Sequence, residues 1–140
     1  MPKLYLLLGS NLGDRRANLE TALERLDALF GPRLAQSSVA ETEAVGFDGP
    51  AFLNTVVCYR TRRAPLCILR AVKQIEWEMG RRDAPEYGPD GGRIYHSRII
   101  DIDLLRYGRL EMSTPELTLP HPQVAGRAFV APLLAEIERK

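Results

Sequence analysis

Apolar positions along this chain switch repeatedly between two spacings, and the switches divide it into elements. Lys3 to Leu8 is an almost unbroken apolar run of strand length, and it ends at Gly9-Ser10-Asn11. Leu19, Ala22, Leu23, Leu26 and Phe30 then recur at helical spacing. Asp14 stands where an N-cap is needed, and Gly31-Pro32 stops the helix. Leu34 to Ala40 predicts a second strand, and Phe52 to Tyr59 a third, after a loop from Thr42 to Pro50. Pro65 opens a second long helix with Leu69, Val72, Glu76 and Met79 on one stripe, and Gly80 closes it. A polar loop from Asp83 to Ser97 leads into a last long strand that Tyr107-Gly108 ends. Leu117-Thr118-Leu119, a Pro120-His121-Pro122 turn and an amphipathic piece from Phe129 to Ile137 complete the chain. There is no internal repeat and no low-complexity tract.

This order predicts one α+β domain over residues 1–140. Strand-helix-strand-strand-helix-strand is the split βαβ, ferredoxin-like arrangement: an antiparallel sheet with helices on one face and the other face open. Such a frame hosts many functions, so chemistry has to be read from particular residues.

The last strand carries the clearest chemistry, in Arg98-Ile99-Ile100-Asp101-Ile102-Asp103-Leu104-Leu105. Strand side chains alternate, so Ile100, Ile102 and Leu104 pack under the helices while Asp101 and Asp103 stand on the open face. Two carboxylates this close repel and raise each other's pKa unless a cation sits between them. A hard cation such as Mg2+ is commonly held by one or two carboxylates plus substrate phosphates. Arg98 suits the same phosphates. The bland alternative is a half-exposed strand with a solvated acidic face. An apolar opposite face and a leading arginine favour the metal site.

Composition changes the picture little. The chain has 45% hydrophobic and 26% charged residues, which is ordinary for a globular protein. A formal net charge of +1 gives no support to a general polyanion binder. Cys58 and Cys67 both read as small packed residues, without metal-ligand spacing. No signal peptide or transmembrane run is present, so the expected compartment is the cytoplasm. Nucleic acid and membrane are not expected as partners, and the expected state is a monomer or weak homodimer.

An ordered series of motifs identifies the family. Gly9-Ser10-Asn11-Leu12-Gly13, Phe52-Leu53-Asn54, Arg98-x-x-Asp101-x-Asp103 and Leu119-Pro120-His121-Pro122 with Arg127-x-Phe129 follow one another along nearly the whole chain. This series resembles 6-hydroxymethyl-7,8-dihydropterin pyrophosphokinase, an enzyme of folate synthesis. The resemblance implies transfer of the β,γ-diphosphate of ATP to the pterin hydroxymethyl group, with release of AMP. It implies two Mg2+ ions on Asp101 and Asp103, with Arg81 and Arg98 in the catalytic machinery. Arg127, Arg82 and His121 become candidates for the triphosphate, and Lys73, Glu76, Tyr95 and Thr118 for the rest of the nucleotide. For His121 the alternative is a cap on its own turn. For Glu76 it is an ion pair with Lys73, one turn back.

The second substrate is then flat, aromatic and edged with donors and acceptors. Phe52 and Asn54 share a strand face, so an aromatic ring and an amide can address it together. By resemblance Phe129 closes the other side of the sandwich and Thr42 adds backbone contacts. The plain alternative for either phenylalanine is core packing. An amide within a strand is different, because it needs a partner.

Some positions depart from the family pattern. Lys73 replaces a frequent glutamine, Tyr95 a tryptophan, and His96-Ser97 a smaller pair, while Asp83 and Glu116 stand where some members are basic. The metal pair and pterin pocket are intact. The loop from Asp83 to Ser97, with Gly88, Gly91 and Gly92, is expected to act as a lid over the nucleotide. Rival readings are a metal-dependent nucleotidyl transferase, a ferredoxin-like nucleic-acid-binding module and a regulatory ligand-binding domain. The first would release diphosphate. The second would need a basic face, and the third gives the aspartate pair no purpose.

Overall fold

The computed structural model describes residues 1–43, 49–80, 86–87, 93–94 and 99–138. Its centre is β1 (Lys3–Ser10), flanked antiparallel by β4 (Phe52–Arg60) on one side and β7 (Asp101–Tyr107) on the other. Two short strands, β2 (Ala35–Gln36) and β3 (Ala40–Thr42), share the outer edge of β4. Helices α1 (Arg15–Phe30) and α2 (Pro65–Glu78) make the crossovers. This is the α+β, ferredoxin-like frame that the pattern predicts.

The second strand breaks into β2 and β3 for a local reason. Ser37 keeps its backbone N–H on Val56 O, at 2.8 Å. In return, its hydroxyl Oγ accepts the Val56 N–H at 2.9 Å. A side chain thus replaces a ladder carbonyl, and regular pairing lapses until Ala40.

Helix α1 starts as expected, with Asp14 Oδ1 accepting from Ala17 N at 3.0 Å. It ends at Gly31, whose φ of 92° is one that a side chain would resist. Leu19, Ala22, Leu23 and Leu26 from α1 meet Ile68, Val72 and Ile75 from α2 over Leu4, Leu6 and Leu8 of β1. Ile100, Ile102 and Leu104 join this core, as the alternation requires. Each such side chain contributes on the order of 1.5–3 kcal/mol by leaving water.

The opposite face is not open along its whole length. Helix α4 (Val130–Ile137) lies across it and buries Val130, Leu133, Leu134 and Ile137 against Tyr5, Leu7, Val56, Cys58 and Leu105. Glu136 clamps α4 to the β2–β3 edge, taking hydrogen bonds from Ser38 N at 2.9 Å and Ser38 Oγ at 2.8 Å. Cys58 is buried as expected, but Cys67 is exposed, because it falls on the outer side of α2. Both thiols are free.

The register between β1 and β7 shifts at Tyr5/Leu6, which leaves Leu105 as an extra residue. Beyond it Tyr107, not Arg106, faces the α1/α2 core. The Leu105 carbonyl accepts from His121 N at 2.8 Å, so the bulge anchors the Pro-His-Pro turn beside the aspartates. That turn follows a small ladder of β8 (Met112–Ser113) with β9 (Thr118–Leu119) and leads into a single helical turn, α3 (Gln123–Gly126). Within the loop predicted as structureless, the backbones of β5 (Glu86–Tyr87) and β6 (Arg93–Ile94) pair antiparallel. The rest of that loop lies outside the described residues, and with it the lid expectation.

Candidate functional site

Strand register places the chemistry. Gly9 of β1 lies between Asn54 on β4 and Asp101 on β7, one row across three strands. In the next row on that face, Leu7 lies between Val56 and Asp103. Phe52 continues the β4 column one step beyond Asn54. Together these side chains line a small open cleft, with Gln123 and Arg127 completing the lining. Asp101 and Asp103 are half-buried within it, so they are not a freely solvated acidic face.

Gly9 is there to leave room. A Cβ on it would stand 3.0 Å from Asn54 Oδ1 and 3.4 Å from a Phe52 ring carbon. The glycine was legible only as turn punctuation. Its place in the middle of a row of polar side chains needed the register.

Asn54 has the partner that a buried strand amide requires. Its Nδ2 donates to Thr42 Oγ1 at 2.7 Å and, more weakly, toward Ala40 O at 3.5 Å. The NH2 side is therefore turned to the β3 edge, and Oδ1 lies on the Gly9 side. Thr42 contributes through its hydroxyl, as the group that orients Asn54.

The Gly-Ser-Asn segment builds the frame around the cleft. Ser10 and Asn11 are buried; Asn18 Nδ2 reaches Ser10 Oγ at 3.2 Å, and Asn11 Nδ2 reaches Pro50 O at 3.0 Å. Arg15 adds a bond to Ala51 O at 2.9 Å, which fixes the chain as it enters β4.

His121 does cap its own turn, with Nδ1 accepting from Gln123 N at 3.1 Å. That bond places the neutral ring's proton on Nε2. Burial pushes the imidazole pKa below its ordinary value, and the nearby Asp101 charge opposes this to a smaller degree. The cap and a donor role are therefore compatible. Arg127 is held by Gln123 Oε1 at 3.3 Å and lies 4.6 Å over the Phe129 ring. Phe129 itself is half-buried, packed against the α4 cluster with the cleft-lining Arg127 over its ring.

Glu76 is buried, and its Oε2 accepts from Ile102 N at 2.8 Å, between the two aspartates. A backbone amide of β7 is thus one partner of this carboxylate, a contact that the helix stripe alone did not reveal. Lys73 and Thr118 are exposed and lie outside the cleft lining. Arg81, Arg82, Tyr95 and Arg98 fall outside the described residues. Gln123 is a polar lining residue that the motifs did not single out, since a glutamine after a Pro-His-Pro turn reads as solvated.

Comparison with known proteins gives a consistent result. The sequence model of 7,8-dihydro-6-hydroxymethylpterin-pyrophosphokinase (HPPK) matches residues 5–139. A 2-amino-4-hydroxy-6-hydroxymethyldihydropteridine pyrophosphokinase of Porphyromonas gingivalis is 43% identical over 98% of this chain and 91% of its own length. The protein of the same name from Bacillus subtilis is 37% identical over 95% of this chain and 76% of its own. The Pisum sativum protein named mitochondrial folate synthesis bifunctional protein is 38% identical over 94% of this chain, which corresponds to 24% of that longer protein.

Proposed function

The chain belongs to the HPPK family, and from that premise we propose that it moves the β,γ-diphosphate of ATP to the hydroxymethyl oxygen of 6-hydroxymethyl-7,8-dihydropterin. It is a pterin pyrophosphokinase of folate synthesis. For the diphosphate to move intact, the alcohol oxygen must bond to the β-phosphorus. The bond from that phosphorus to the bridging oxygen on the α side then breaks, AMP leaves with that oxygen, and the alcohol proton passes to solvent. Such a reaction needs positioning and charge neutralisation more than a nucleophilic side chain.

One observation carries this reading: Asn54, Gly9 and Asp101 form a single row in the cleft floor, with Asp103 beside them. Asn54 and Phe52 would address the edge and face of the pterin, which brings its hydroxymethyl group toward the aspartates. Thr42 holds the Asn54 amide in one orientation. The donor set fits Mg2+. Two half-buried carboxylates open onto one cleft. That is the pattern of a hard cation that keeps waters and borrows phosphate oxygens. When bound, two such ions would supply charge neutralisation at the attacking and leaving oxygens.

Arg127, flattened against Phe129, presents a planar guanidinium suited to bidentate phosphate contacts. His121 Nε2–H can donate to another phosphate oxygen. By resemblance Arg81, Arg82 and Arg98 complete the phosphate contacts, and Tyr95, Lys73 and Thr118 serve the nucleoside. Among the described residues no helix is long and apolar enough to cross a membrane. The exposed free thiol of Cys67 suits a reducing compartment, and the proposed setting is the cytoplasm.

Separating the nucleotides after incubation with ATP, Mg2+ and the reduced hydroxymethylpterin tests the reaction class. AMP should appear one-for-one with the pterin diphosphate. ADP, or free diphosphate with a nucleotidylated product, would overturn the assignment.

A further inference from the structure

Gln123 makes four bonds to three residues of the site. Its side-chain NH2 donates to Asp103 Oδ2 at 3.0 Å, and its side-chain oxygen accepts from Arg127 Nη1 at 3.3 Å. Its backbone N–H donates to His121 Nδ1 at 3.1 Å, and its backbone carbonyl accepts from Arg127 N at 3.1 Å. The amide orientation is set twice over, because a carboxylate can only accept and a guanidinium can only donate.

The same chemistry defines what happens without the amide. Asp103 and Arg127 line one cleft and carry opposite charges. Paired directly, they would form a bidentate ion pair. That pair would occupy the carboxylate a cation needs and the guanidinium a phosphate needs. A carboxamide donates to the first while accepting from the second, so it bridges them without cancelling either charge. Glutamate has no donor for Asp103, and lysine or arginine has no acceptor for Arg127.

We propose that Gln123 is a positioning residue that holds Asp103 and Arg127 apart, keeping the carboxylate for the cation and the guanidinium for the phosphate. The proposal rests on the assignment of Asp103 to Mg2+ given above. Gln123→Met keeps length and shape but removes both polar atoms. Gln123→Glu keeps an acceptor for Arg127 and sets a carboxylate against Asp103.

The test measures binding of Mn2+, as a Mg2+ surrogate, by electron paramagnetic resonance with a non-hydrolysable ATP analogue present. KM for ATP and for the pterin is measured beside it, with circular dichroism to confirm folding. Gln123→Met should weaken Mn2+ binding about 10- to 100-fold, the usual loss when the support of a metal ligand is removed. It should also raise KM for ATP and leave KM for the pterin near its original value. Gln123→Glu should raise KM for ATP further, because Arg127 is then held by a charge. If Gln123→Met does not fold, Gln123→Glu carries the test alone. Native Mn2+ affinity and native KM for ATP in a folded variant overturn the proposal. Asp103→Asn separates the two assignments. If it loses Mn2+ while both Gln123 variants retain it, only the role of Gln123 falls. If it binds Mn2+ as the parent does, the metal assignment and this proposal fall together.

Discussion

Glu76 Oε2 accepts a hydrogen bond from the backbone N–H of Ile102 at 2.8 Å, deep between α2 and β7. Ile102 is the residue between the two site aspartates, and its own side chain is buried on the opposite face. One helix carboxylate therefore fixes the strand at the point from which both acids project. It also satisfies a β7 amide that would otherwise be a buried donor without a partner.

Removing that acceptor should be costly. Glu76→Ala is expected to lower stability by about 1–3 kcal/mol, the range for stranding a buried donor. Glu76→Gln keeps an acceptor oxygen and should lose clearly less. Urea unfolding of the two variants checks this; equal losses would mean that the Ile102 bond is not what Glu76 contributes.

Gly9 should tolerate no side chain without a consequence for the pterin. In Gly9→Ala the new Cβ meets Asn54 Oδ1 at 3.0 Å, and Asn54 cannot retreat without straining its 2.7 Å bond to Thr42. Pterin affinity is expected to fall by roughly 1–3 kcal/mol, a typical cost of overpacking. Binding of the ATP analogue should change far less. Calorimetry with each ligand provides the comparison, and equal losses would contradict a separate pterin pocket.

Thr42→Val tests how Asn54 is oriented. The substitution keeps the shape and removes the hydroxyl that accepts from Asn54 Nδ2. Pterin affinity should drop, by about 0.5–1.5 kcal/mol for one hydrogen bond, with the fold unchanged. Unaltered pterin binding would show that the orientation of Asn54 is set elsewhere.

The clamp between Glu136 and Ser38 should show in acid. Hydrogen bonds from the Ser38 backbone and hydroxyl hold the Glu136 carboxyl below its ordinary pKa. A carboxyl depressed on folding adds stability above its unfolded pKa, about 4.3, and loses it as pH falls through the folded value. The stability gap between the parent and Glu136→Gln should therefore be full near neutrality and close in acid, as pH falls through the lowered folded value. A gap that persists in acid would contradict the clamp.

Much of this was legible in the residues themselves. Alternation in Ile100–Leu104 was enough to sort core from cleft, because the strand period is two wherever a face is buried. The helix stripes and the Asp14 cap were equally local. What escaped was set by tertiary partners. Leu4, Tyr5, Leu6, Leu7 and Leu8 are all buried, and a run without alternation signals a strand covered on both faces. That signal was present, but nothing in it named α4 as the cover. Gln123 and Gly9 lie in a turn and at a strand end, where no periodicity reports on side-chain direction. Their roles come from register and from the bulge at Leu105. Ser37 interrupts a strand by substituting its hydroxyl for a carbonyl, a choice that propensity does not encode.

The central claim is that Asp101 and Asp103 supply the charge site for diphosphate transfer. Steady-state AMP formation by Asp101→Ala, Asp103→Ala and the double variant, each checked for native circular dichroism, tests it most directly. Each single variant should lose about a hundredfold or more in turnover, the scale for removing metal-borne stabilisation of a transition state. Near-native turnover in the folded double variant would contradict it.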